Sequence, residues 1–136
     1  MIKYRSLKPY KYQLVEEYMV KTAIKMKDQD GGMFCYLRPV ATGSMLVMKQ
    51  GYSWDGTSGP TVDTENTMRA GLVHDSLYQL LREGVIGQEY VDYADELFHK
   101  ILREDGVSRF RAWYYFKGVS NWFAHRFAKP DIEGVD

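Results

Sequence analysis

The chain has 136 residues, enough for one compact domain with a real core, and its 45% hydrophobic and 26% charged content is that of a globular protein. Lys plus Arg and Asp plus Glu both number 18, so no cationic surplus is present to neutralise phosphates, and general nucleic-acid binding is not expected. Cys35 is the single cysteine, which excludes an intrachain disulfide and leaves cohesion to packing.

The opening MIKYRSLKPYKYQ carries basic residues with no apolar run behind them, so no secretory signal is expected. No apolar stretch approaches the roughly 20 residues that span a bilayer. Leu14 to Ile24 mixes apolar and charged residues in partial alternation. Asp30-Gly31-Gly32 signals a turn, and Met33 to Val40 and Ser44 to Lys49 have the composition of strands. Pro39 either ends the former run or places it at a sheet edge. Gly51 to Pro60 (GYSWDGTSGP) reads as a loop.

From Asn66 the pattern turns helical. Ala70, Val73, Leu77 and Leu81 recur at three- and four-residue spacing and predict an amphipathic helix to Glu83, capped by Thr64 or Asn66. Gly84 and Gly87 bracket a short link. A second helix follows over Gln88 to Glu104, with Val91, Ala94, Leu97, Phe98 and Ile101 on one face and Gly106 as its stop. Ser108 caps a third, from Arg109 to about Phe127, with Trp113, Phe116, Val119 and Phe123 expected inward. The short first link favours an antiparallel helix pair. The expected fold is α+β: a small N-terminal antiparallel sheet and Gly-rich loop over 1–62, a helical unit over 63–128 and a tail over 129–136, all in one domain.

His74 and Asp75 stand in mid-helix between Val73 and Leu77, where both cost helix propensity and, if buried, desolvation. Adjacent helical positions diverge by about 100°, so the two side chains flank a cleft rather than share one target. Tyr78 lies one turn after His74. On the second helix Asp95, three residues after Asp92, faces the middle of the first in an antiparallel pair and is placed to accept a proton from His74. A histidine so held, with its other nitrogen at a cleft, can activate a water, a general-base effect of roughly 100- to 10,000-fold. Asp55, which Gly56 follows, Asp75, nearby loop carbonyls and waters make an oxygen set suited to calcium. Each feature also has a plain structural reading: a satisfied core pair, a turn, a solvated acid. His99 and His125 read as surface residues.

The ordered set GYSWDGTSGP at 51–60, AGLVHDSLY at 70–78, ADELF at 94–98 and RAWYYFKGV at 111–119 resembles a family of short phage and prophage proteins of unknown function, the DUF thirteen-fifty-three group. A deeper resemblance is to secreted bacterial and fungal phospholipases A-two. It is carried by Trp54, Asp55, Pro60, His74, Asp75, Tyr78, Asp95, Phe98, Trp113, Tyr114 and Tyr115. That resemblance implies His74 as base, Asp95 as its orienting partner, and calcium held by Asp75, Asp55 and the Gly56 carbonyl. Thr57 and Gly71 stand where those enzymes carry cysteines. Two functions are therefore expected from different classes. The first is a phage-encoded calcium-dependent hydrolase of lipid or other esters; the second is a non-catalytic virion or tail component that keeps the scaffold. A host-directed protein binding through the aromatic helix is a third. Host cytoplasm or virion is the expected location, with peripheral membrane contact compatible with either.

Overall fold

The computed structural model describes residues 2–8, 11–55 and 64–120. The chain forms two compact units, Met1–Trp54 and Asp55–Asp136.

The first unit is built from strands that form two small sheets. One sheet has the order β1-β2-β7, from β1 (Tyr4–Lys8), β2 (Lys11–Leu14) and β7 (Ser53–Asp55). The Leu14 N–H donates to the Tyr52 carbonyl at 2.8 Å, and the Gly51 N–H donates to the Leu14 carbonyl at 2.9 Å. The other sheet has the order β3-β6-β5-β4, from β3 (Tyr18–Thr22), β4 (Asp30–Gly31), β5 (Cys35–Val40) and β6 (Gly43–Met48). Its neighbours pair antiparallel. Central β6 is the most apolar strand, with Leu46, Val47 and Met48 all at or below 1% exposure. Such a strand, paired on both edges, reads as a continuous apolar run rather than an alternation.

The expected strands at Met33–Val40 and Ser44–Lys49 are present within one or two residues at their ends. Pro39 stays inside β5, opposite Ser44 of β6, but β4 pairs only with Tyr36 and Leu37. At Pro39 the strand is thus an edge, where its missing N–H breaks no ladder. The Asp30-Gly31 signal is half right: those residues pair as β4 before the chain turns at Gly32. Among the described residues, β1 and the break between β2 and β3 had no clear sequence signal.

The second unit contains the expected helices. A single 3-10 turn, Glu65–Thr67, leads into α1 (Met68–Arg82). Thr64 begins it with a reciprocal capping arrangement, in which the Thr64 N–H donates to Thr67 Oγ1 at 3.0 Å. Another such turn, Gln88–Tyr90, leads into α2 (Val91–Glu104). Both helices stop the same way. Gly84 (φ 75°) and Gly106 (φ 92°) take left-handed backbone that side chains resist. Val85 N–H then reaches back to the Leu80 carbonyl and Val107 N–H to that of Leu102, each at 2.9 Å.

The pair is antiparallel, and one cation fixes its register. Arg69, at the start of α1, donates to both carboxylate oxygens of Asp105 at 3.0 Å and to Glu104 at 2.8 Å, at the end of α2. Leu72, Leu77, Leu80 and Leu81 of α1 and Phe98, Ile101 and Leu102 of α2 are at or below 1% exposure. Burial of each such side chain stabilises by about 1.5–3 kcal/mol.

The third helix, α3 (Arg109–Gly118), packs on α2 and begins where expected, with Ser108 Oγ accepting from the Arg111 N–H at 3.3 Å. Its orientation corrects the sequence reading. Ala112, Tyr115 and Val119 are buried, whereas Trp113 is 48% exposed. Phe116 is half-buried. Phe116 meets His99 of α2, with ring centroids 5.4 Å apart, and the large rings at Phe110, Trp113 and Tyr114 are left outside. Phe123, His125, the rest of the expected third helix and the tail lie outside the described residues.

Candidate functional site

The helix pair brings His74, Tyr78 and Asp95 together. His74 and Tyr78 are one turn apart on α1, so their side chains lie over one another, with ring centroids 4.2 Å apart. Asp95 faces them from α2. His74 Nε2 is 2.8 Å from Asp95 Oδ1, and the Tyr78 hydroxyl donates to the same oxygen at 2.6 Å. Phe98, one turn after Asp95, closes the other side of the imidazole at 5.0 Å between centroids. His74 is 7% exposed, Tyr78 4% and Asp95 1%.

The chemistry of this arrangement follows from donors and acceptors. A carboxylate only accepts, so the nitrogen beside it carries the proton and Nε2–H donates. The neutral ring then has its lone pair on Nδ1, which forms no hydrogen bond among the described residues. That is the tautomer a general base requires. Asp95 Oδ2 is fully enclosed and accepts no hydrogen bond from a described residue. A carboxylate with two hydrogen bonds on one oxygen and none from a described residue on the other is an expensive element for a helix pair to bury.

Tyr78 reports the same environment. Burial, and after it the hydrogen bond to Asp95 and that group's charge, holds its hydroxyl well above the ordinary 10.0. It therefore stays protonated, a fixed donor to Asp95. Asp92, the neighbouring acid on α2, is exposed, as its solvated reading had it. His99 is half-buried rather than on the surface, with its ring 5.4 Å from that of Phe116.

Two of the three expected calcium donors lie among the described residues. Asp75 is half-buried on α1, and Asp55 is exposed at the end of β7. Gly56, with Thr57 and Pro60, lies outside the described residues. Among the described residues no three His, Cys, Asp or Glu side chains gather as a metal group. The expected set has only two carboxylates and a carbonyl. All of its donors are oxygens, which fits a hard cation in kind.

The contact that sequence reading missed is Arg69 with Glu104 and Asp105. The signal was available: in an antiparallel pair, a cation opening α1 sits beside acids closing α2. This contact joins the start of α1 to the end of α2, in the register in which Asp95 lies opposite His74.

A family model described as Protein of unknown function (DUF1353) matches residues 33–119, a span that runs from β5 to α3 and includes His74, Tyr78 and Asp95. No curated protein and no solved structure matches.

Proposed function

We propose that this chain, which belongs to the DUF1353 family, is a small phage-encoded hydrolase that uses His74 as general base on an ester or related carbonyl substrate. The observation that carries the reading is the shared oxygen of Asp95, which takes Nε2–H of His74 at 2.8 Å and the hydroxyl of Tyr78 at 2.6 Å. This is the arrangement that the resemblance to phospholipases A-two implies for a base and its orienting acid.

In the proposed reaction His74 Nδ1 takes a proton from water, and the hydroxide so formed bonds to the carbonyl carbon. The resulting tetrahedral oxyanion collapses, the carbon–oxygen bond to the leaving alcohol breaks, and the imidazolium returns the proton to that oxygen. Asp95 stabilises the transient imidazolium, Tyr78 holds Asp95 in place, and Phe98 limits ring rotation. Calcium, held by Asp75, Asp55 and the Gly56 carbonyl, would polarise the carbonyl and stabilise the oxyanion.

Hydrolysis of a phospholipid and of a soluble aryl ester, each measured with and without a calcium chelator, tests the reading. The expected loss on His74→Ala is about 100- to 10,000-fold. Turnover indifferent to His74→Ala, or none on any ester, overturns it.

The second reading is a non-catalytic virion or tail component. It draws on the depth of the cluster, since a structural His–Asp pair would be equally enclosed. Copurification with particles and full function in a His74→Ala/Asp95→Asn variant would favour it.

A further inference from the structure

Helix α3 is amphipathic in an unusual sense. Its inner face carries Ala112, Tyr115 and, just past the end, Val119, all at or below 5% exposure. Its outer face carries Phe110, Trp113, Tyr114 and Lys117, spaced at i, i+3, i+4 and i+7. The first three are 72%, 48% and 45% exposed, and Lys117 is exposed as well. The Phe110 and Trp113 rings stand 6.3 Å apart between centroids, a continuous aromatic surface rather than isolated side chains. Scattered exposed apolar residues need no explanation, but a ring stripe along one helix does.

Charge says what this stripe faces. Between Gly106 and Ser120 the chain has Arg109, Arg111 and Lys117 and no acid, within a sequence whose formal net charge is zero. Arg111 is turned to the flank, where it donates to the Tyr115 hydroxyl at 3.2 Å and lies 5.4 Å from that ring's centroid. Arg109 and Lys117 are exposed at the two ends of the stripe. One wholly apolar ring and two with polar tips, bounded by cations, match the boundary layer of a bilayer, which offers apolar chains and charged headgroups at neighbouring depths.

We propose that the Phe110–Trp113–Tyr114–Lys117 face of α3 docks on an anionic lipid surface. The aromatic bodies enter the headgroup region, and Arg109 and Lys117 meet lipid phosphates. This placement is independent of any ester chemistry at His74.

Cosedimentation of the full chain with phosphatidylglycerol vesicles, against phosphatidylcholine vesicles, tests it. Binding to the anionic vesicles is expected, weakened by salt. A Phe110→Ser/Trp113→Ser variant should lower the partition coefficient about tenfold or more. Lys117→Glu should lower it by about fivefold or more, since each surface cation contributes about that factor. Both substitutions are at exposed positions, and an unchanged melting temperature confirms folding. Absence of binding to anionic vesicles, equal binding to neutral ones, or binding unaltered in both variants overturns the proposal. Self-association in solution abolished by the same double variant reassigns the face to a second copy of the chain. Binding by His74→Ala at the original level keeps this test separate from the hydrolytic one.

Discussion

The two units bury polar groups in different ways. In the sheet unit the buried polar residues among those described are Thr22 and Ser44, whose hydroxyl oxygens are 2.7 Å apart across β3 and β6. The Ile24 N–H also donates to Thr22 Oγ1 at 3.2 Å. These hydroxyls are neutral, local and satisfied, and the unit's one enclosed atom without a hydrogen bond among the described residues is the neutral Trp54 Nε1. In the helical unit the buried set includes His74 and Asp95, a base and an acid on different helices, and one carboxylate oxygen accepts no hydrogen bond from a described residue. A fold that needed only cohesion would be served by the first kind. The second kind gathers desolvated, ionisable side chains from two helices at one place, which is the observation behind the proposed role of His74.

That contrast can be broken by substitution. His74→Leu leaves the enclosed Asp95 carboxylate with Tyr78 alone and should destabilise by about 3–5 kcal/mol, read from the urea midpoint. A loss below about 1 kcal/mol would mean that Asp95 is solvated after all. Replacing the whole cluster, His74→Leu/Asp95→Leu/Tyr78→Phe, should instead be neutral or stabilising by about 1–4 kcal/mol, while the proposed ester hydrolysis is lost. Stability and activity moving in opposite directions would be the clearest mark of a functional cluster.

Tyr78→Phe removes one donor to Asp95 and should cost about 1–2 kcal/mol. It should also alter the alkaline limb. The folded hydroxyl keeps its proton above the ordinary 10.0, whereas an unfolded tyrosine ionises there. Its contribution is therefore full below about pH 10 and declines as pH rises further, and the variant should lack that decline in a pH series of unfolding midpoints. In the sheet unit, Thr22→Val/Ser44→Ala removes both hydroxyls together and should change stability by about 1 kcal/mol or less. A larger loss would give the neutral pair the weight assigned here only to the titratable cluster.

Much of the helical unit was legible because its signals are local. Apolar spacing located α1 and α2, and glycines at 84 and 106 marked their ends through left-handed backbone that few other residues adopt. The short link then placed Asp95 opposite His74 without further information. The face of α3 was misread for a physical reason. Ring size suggested that Trp113 should be buried, but the face that α3 buries carries Ala112, Tyr115 and Val119, and a stripe of aromatics can serve either face of a helix. Strands β1 and β2 were illegible because mixed polar sequence such as YRSLK and KYQL does not declare an edge. The proposed calcium donors depend on Gly56 and its neighbours, where no periodicity constrains the backbone.

The tautomer of the His74 ring, read by long-range nitrogen–proton correlation NMR at neutral pH, decides whether Asp95 orients a base. A proton fixed on Nε2, an unprotonated Nδ1 and loss of that preference in Asp95→Asn are expected. A proton on Nδ1, or a ring whose tautomers are indifferent to residue 95, would contradict that role.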